Sequence, residues 1–387
     1  MRSFILIALA LLLCCCCACM TGESETSNLS GSAEPNLASF EGQYGESQLG
    51  DLGGDSKKDQ LQAIFEKMGF LQYFDMEPVR SEPWRNGYTR YYYSTDDCKC
   101  FDGRQVRIAV SEGASNNVML FLEGGGAVWP GDGFAVDLDW AMDIGFKNRK
   151  EQNPLKDWNF VYVPYCDSSI HTGDSEMMYD GELKYHHGVR QTVAAVSLIK
   201  SMFPNPDKIL MAGSSAGGFG TFMGWAILKS QFMDTKTYIL NDSGVGFWNP
   251  DDPKTWEIMK QAWNLTLPEE CTKCKGSIWV YLYELFMDLD PQVRIGMFSS
   301  YRDWIISEWF MEMDPARFEQ VLLAETNQVH AVYPKRFNRF FINGNSHTTY
   351  EFLLPEGQNY EVQGVSMYQW IADLIDDEKS DWPDLLE

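Results

Sequence analysis

Histidine is scarce in this chain, five among 387 residues. Any chemistry that needs an imidazole base therefore has few places to reside. Positive charge is scarce too: 31 Lys and Arg stand against 55 Asp and Glu, a formal net charge of −24. A surface that negative repels phosphate backbones, which removes nucleic acid as an expected partner. Past the first apolar stretch no hydrophobic run approaches membrane-spanning length, and no internal repeat is apparent. Apolar and aromatic residues are plentiful, 44% hydrophobic with 13 Trp, 18 Tyr and 23 Phe, so global disorder is excluded.

The amino terminus reads as an address. Met1-Arg2-Ser3 precedes an apolar run from Phe4 to Leu13, the n-region and h-region of a secretory signal over residues 1–19. Cys17-Ala18-Cys19 resembles a lipobox, with Cys19 as the lipidated residue; an ordinary signal cut near Ala18 or Thr21 is the alternative. Either way the chain is expected to be exported, to the extracellular space or as a cell-envelope lipoprotein, and tethered to a membrane if lipidated. Residues 20–59 are rich in Ser, Gly, Glu and Asp and read as a disordered acidic tether. Residues 60–387 form one expected domain.

Within it, Val118–Leu122, Asn159–Val163, Lys208–Ala212, Tyr238–Asn241 and Arg294–Ser299 are continuous apolar runs, and Val189–Met202 and Gly218–Lys229 have helical spacing. Buried strands joined by helices predict an α/β fold with a mostly parallel central sheet flanked by helices on both faces. Ligands in such sheets bind beyond the carboxyl ends of the strands. Residues 245–292 are rich in aromatics and are expected to form a cap over the site.

Three strand ends carry chemistry. Gly213-Ser214-Ser215-Ala216-Gly217 is G-x-S-x-G between a strand and a helix, which presents Ser215 as a nucleophile on a strained turn. Glu123-Gly124-Gly125-Gly126 follows an earlier strand, and Gly125, Gly126 and Ala216 are the expected oxyanion donors. His347 lies in a turn-rich loop downstream of the serine, where this fold places its base. His330 is the weaker alternative; His171 and Trp129 are expected to line the site, and His186 and His187 to cap a helix or face solvent. For the acid, Asp303 and Asp242 both follow strands between Ser215 and His347, and Asp242 is also explained as a turn residue.

These residues, in order, resemble the pectin acetylesterase family, which includes the Notum-like carboxylesterases. The resemblance is carried by Cys100-Phe101-Asp102-Gly103, Leu122–Gly126, Tyr165-Cys166-Asp167, Thr172-Gly173-Asp174, Gly213–Gly218, Asn241–Gly244, Ser299–Trp304 and His347. It implies an α/β-hydrolase-like serine carboxylesterase that needs no metal or cofactor, and it points to Asp303 as the acid. The implied substrate is an acylated carbohydrate, most simply an acetyl ester of a polysaccharide. A lipid or protein-acyl ester is the first alternative, and glycan binding without catalysis the second. Family members carry a cysteine where Val128 stands, which implies that Cys166 has lost its partner and is a free thiol. Cys98, Cys100, Cys271 and Cys274 then remain for disulfides or for a four-thiolate zinc site.

Overall fold

The computed structural model describes residues 56–137, 145–349 and 360–387. The expected export signal, Cys19 and nearly all of the expected tether lie outside the described residues. Helix α1 (Lys57–Lys67) begins before Asp59, within the last residues of the stretch that reads as a tether. Ser56 caps it, accepting from the Asp59 N–H while the Asp59 carboxylate accepts from Ser56 N–H, a reciprocal box that fixes the start. Leu61, Ile64 and Phe65 of α1 are buried, so this stretch is part of the core.

Strands β1 (Pro78–Pro83), β2 (Thr89–Tyr93) and β3 (Arg107–Ser111) form an antiparallel edge that the hydrophobic pattern did not reveal. Next come β4 (Val118–Leu122), the hairpin β5 (Gly126–Trp129) and β6 (Asp132–Ala135), and β7 (Asn159–Val163). A second hairpin, β8 (Ser175–Tyr179) and β9 (Glu182–His186), leads into helix α2 (Gly188–Met202). The rest alternates: β10 (Lys208–Ser214), α3 (Ala216–Gln231), β11 (Lys236–Asp242), α4 (Pro253–Trp263), α5 (Leu282–Leu289), β12 (Arg294–Ser300), a π-helix at Ile305–Phe310, α6 (Pro315–Val332) and β13 (Phe337–Ile342). A short hairpin, β14 (Glu361–Val362) and β15 (Val365–Ser366), precedes α7 (Met367–Ile375) and β16 (Leu385–Leu386).

The large sheet has ten strands in the order β1-β2-β3-β7-β4-β10-β11-β12-β13-β16, and from β7 to β16 every neighbour is parallel. The expected α/β-hydrolase-like class is therefore the observed one. Side chains alternate across the sheet. Leu120, Leu122, Ile209, Met211 and Ile239 join α2 and α3 in one core, while Met119, Phe121, Leu210, Ala212 and Leu240 join α7 in the other. Both faces being covered is why these strands read as unbroken apolar runs.

The chain runs from β4 outward to β7 and then back to β10 on the other side of β4. That reversal opens a crevice at the carboxyl ends of β4 and β10. The glycine run follows one and Ser215 follows the other. Among the described residues no helix is long and apolar enough to cross a membrane.

The tryptophans of the 245–292 segment pack inward. Trp248, Trp256, Trp263 and Trp279 are all buried, Trp256 stacks on Trp279, and Trp263 Nε1–H donates to the Val128 carbonyl of β5 at 2.8 Å.

Two disulfides correct the cysteine assignment. Cys100 pairs with Cys166, and Cys271 with Cys274. Cys166 is therefore not the free thiol; Cys98 is, fully buried, with burial pushing its ionisation far upward. The reason is backbone placement. Phe101 N–H donates to the Cys166 carbonyl at 2.7 Å, which brings the Cα atoms of Cys100 and Cys166 to 4.9 Å. With two bridges formed, the four-thiolate zinc arrangement does not exist.

Candidate active site

β10 ends in a turn that few side chains tolerate. Ser215 sits at φ 56°, ψ −121°, immediately before α3. The positions two residues to either side must be glycine: a Cβ on Gly213 would lie 2.1 Å from the Gly217 carbonyl oxygen, and one on Gly217 would lie 2.0 Å from that of Leu122. Ser215 N–H donates to the Asp242 carbonyl at 2.7 Å, which fastens the turn to β11. The strain is held by packing on both sides and lifts the hydroxyl above the sheet.

His347 meets that hydroxyl. Ser215 Oγ–H donates to His347 Nε2 at 2.7 Å, and His347 Nδ1–H donates to Asp303 Oδ2 at 2.8 Å. Asp303 is fully buried, and burial raises its pKa against the opposing pull of His347. Its other oxygen accepts from Ile306 N–H at 3.0 Å. The two loops are zipped together by main-chain bonds: Tyr301 N–H to the Ile342 carbonyl, Arg302 N–H to that of Gly344 and Trp304 N–H to that of Asn345.

Asp242 turns its carboxylate to the residue before Ser215 and to the loop that follows His347. Its Oδ2 accepts from Ser214 Oγ at 2.7 Å and Thr349 Oγ1 at 2.8 Å, and its Oδ1 from Thr349 N–H at 3.0 Å. Burial pushes its pKa up to about 6, opposed by these donors. Ser243 Oγ–H donates to the His347 carbonyl. This cluster braces the histidine loop against β11.

The glycine run lies against Ser215. A Cβ on Gly124 would stand 2.8 Å from both the Ser214 carbonyl oxygen and Ser215 Cβ. Gly126 has φ 90°, and a Cβ there would meet the Phe134 carbonyl at 2.1 Å and Phe310 Cζ at 2.9 Å. Tyr165 OH donates to the Gly126 carbonyl and accepts from Ile170 N–H, so the turn is pinned from behind. Below it lies a buried ion pair, Lys147 Nζ to Glu123 Oε2 at 2.8 Å, with Tyr162 OH on the same oxygen and Gly124 N–H on Oε1. Composition gave no sign of this support.

The other sequence-nominated residues have definite places. His171 is fully buried beneath the glycine run. Its Nε2–H donates to the Glu123 carbonyl at 2.8 Å, and its ring lies 5.1 Å from that of Tyr165. Trp129 is buried edge-on against Trp248. His186 and His187 are neither surface residues nor side-chain caps. Both are buried, with burial lowering their pKa values to about 4 and about 3, and His187 Nδ1 accepts from Lys99 N–H. Aromatic rings cover them: Phe101, Tyr179 and Trp263 lie against His186, and Tyr185 lies against His187. His330 lies on α6, its Nδ1–H donating to the Phe337 carbonyl. Among the described residues no group of His, Cys, Asp and Glu is arranged to hold a metal.

A strained serine, an imidazole and a buried carboxylate thus stand in hydrogen-bonded series beside a glycine turn. Residues 139–275 match the sequence model of the pectinacetylesterase family. The chain resembles the pectinacetylesterases. It is 24% identical to pectin acetylesterase 11 of Arabidopsis thaliana, over 38% of this chain and 42% of that one. It is 24% identical to palmitoleoyl-protein carboxylesterase notum2 of Xenopus laevis, over 57% and 51%. It is 27% identical to palmitoleoyl-protein carboxylesterase NOTUM of Schmidtea mediterranea, over 33% and 28%. The chain spans about half or less of the length of these relatives. The family match includes Ser215, Cys166 and Asp242 and stops before Asp303 and His347.

Proposed function

We propose that this chain is a serine carboxylesterase that removes short acyl groups, acetyl first among them, from an acylated carbohydrate. The observation that carries the reading is the unbroken hydrogen-bonded series from Ser215 through His347 to Asp303. His347 takes the Ser215 proton as Oγ attacks the ester carbonyl, and Asp303 holds the imidazole in one tautomer and stabilises its cation. Negative charge gathers on the carbonyl oxygen, where the N–H groups of Gly125, Gly126 and Ala216 receive it. The imidazolium then protonates the leaving alcohol. Water, deprotonated by the same histidine, cleaves the acyl-enzyme and restores Ser215.

Phe310 stands against Gly126, which narrows the space beside the oxyanion donors and favours a short acyl chain. Similarity to palmitoleoyl-protein carboxylesterases keeps a long-chain reading as the second. Export through residues 1–19, with a lipid on Cys19, places the same activity outside the cytoplasm in this reading.

The deciding experiment is hydrolysis of nitrophenyl acetate, butyrate and octanoate by the wild type and Ser215→Ala, with fluorophosphonate labelling of Ser215. Rates should fall with acyl length, and Ser215→Ala should lose at least about a thousand-fold in kcat. Rates rising with length would favour the long-chain reading, and failure to label would remove the serine mechanism.

A further inference from the structure

Resting on the esterase reading, this inference concerns the alcohol that carries the acyl group. Among the described tryptophans Trp304 and Trp309 are the exposed ones, at 43% and 38%. Their rings face each other nearly parallel, 21° between planes and 6.0 Å between centroids. Trp309 also lies 6.1 Å from Phe134 on β6. Both indoles occupy the turn directly after Asp303, and Trp304 N–H bonds the loop that holds His347. They form the lip of the site.

The backbone explains their alignment. In an α-helix, residues five apart point about 140° from one another around the axis. Here Ile305–Phe310 is a π-helix, with Met311 N–H donating to the Ile306 carbonyl at 3.0 Å. The wider turn brings positions 304 and 309 back toward one side. Such turns concentrate at functional sites. Two large apolar planes held in water beside a nucleophile are suited to stacking against the apolar face of a ring.

Charge selects the ring. No Lys or Arg occurs from Ile108 to Phe146, from Ile209 to Leu228, from Asp303 to Ala316, or from Phe340 to Glu378. Those four stretches contain every residue assigned above to catalysis. Glu308 and Glu312 are exposed beside the two indoles, on a chain of net charge −24. Arg302, next to Asp303, is the nearest cation in the chain and is paired with Glu319 at 2.8 Å, so a polyuronate, with a carboxylate on each sugar, meets net repulsion here.

We infer that Trp304 and Trp309 receive a neutral pyranose ring, so that the substrate is an ester of an uncharged glycan rather than of a polyuronate. The test compares kcat/KM on acetylated xylo-oligosaccharides and acetylated oligogalacturonides at low and high salt. The neutral ester should be favoured by about ten-fold or more at low salt, and the gap should shrink as salt screens the repulsion. Trp309→Ala should lose about five-fold more on the neutral oligosaccharide than on nitrophenyl acetate, and Trp309→Phe, which keeps a ring, should recover most of that difference.

Binding is read separately. Unacetylated xylohexaose should quench tryptophan fluorescence of the full chain, and Trp304→Ala and Trp309→Ala should each reduce the quench. Equal or faster cleavage of the oligogalacturonide at low salt would overturn the inference, as would equal losses on both esters in Trp309→Ala. If wild-type protein fails on nitrophenyl acetate, the esterase reading falls. The quench then decides the glycan site by itself: its loss in the tryptophan variants supports the site, and its absence from wild type removes it.

Discussion

Thr349 N–H donates to Asp242 Oδ1 at 3.0 Å, tying the histidine loop to the strand beside the nucleophile. Asp242 is fully buried and also accepts from Ser214, the residue before Ser215. One carboxylate thus braces both halves of the site.

Burying that carboxylate has a pH signature. Its pKa is pushed up to about 6, whereas in the unfolded chain it titrates near the ordinary aspartate value of about 3.9. Between those values the native state holds a proton that the unfolded state releases, so this contribution to stability is lost as pH rises. Asp242→Asn removes the ionisation. Urea unfolding of both proteins from pH 4 to 7 should show the wild type losing up to about 3 kcal/mol relative to the variant, with no further change above pH 7. A constant difference would show that Asp242 titrates normally.

Backbone strain at Ser215 predicts a split between two inactive variants. Alanine keeps a Cβ at φ 56°, while glycine occupies positive φ freely. Ser215→Gly should therefore be more stable than Ser215→Ala by about 1 kcal/mol in denaturant melts, after allowing for glycine's larger chain entropy.

The Cys100–Cys166 bridge closes a separation of 66 residues. Chain-entropy reasoning assigns such a loop about 4 kcal/mol of stabilisation. Cys100→Ser together with Cys166→Ser should unfold at correspondingly lower urea. Peptide mapping of the oxidised protein should find the peptide holding Cys98 alkylated only after unfolding, and Cys100 joined to Cys166.

Lys147 and Glu123 form a buried pair under the glycine run. Lys147→Met leaves the Glu123 carboxylate without its cation and should cost about 3–5 kcal/mol. Adding Glu123→Gln should restore part of that stability, because both charges are then gone. Strictly additive losses in the double mutant would show that the two side chains do not interact.

Much of the site was legible because local rules place it. Short unbroken apolar runs bounded by turns fit doubly covered strands, the G-x-S-x-G turn needs its glycines wherever it occurs, and chain order together with a turn-rich loop favours His347 over His330. Asp242 and Asp303 were left as rivals by spacing, the resemblance favoured Asp303, and contact separated them: Asp303 reaches Nδ1, while Asp242 spends its oxygens on Ser214 and Thr349. The cysteines went the same way. Pairing depends on which backbones lie side by side, and the bond from Phe101 to Cys166 joins segments distant in sequence.

Composition makes residues 245–292 a candidate cap but counts its tryptophans without saying which way they face. The fold turned those tryptophans inward and left Trp304 and Trp309 outside, on a π-turn that no periodicity announces. Sequence by itself determined the central parallel strands, the G-x-S-x-G turn and the excess of negative charge, all set by neighbours in the chain or by totals. Tertiary structure decided which carboxylate meets His347, the disulfides, the buried support of the glycine turn and the exposed ring pair, because each depends on how the chain folds back on itself.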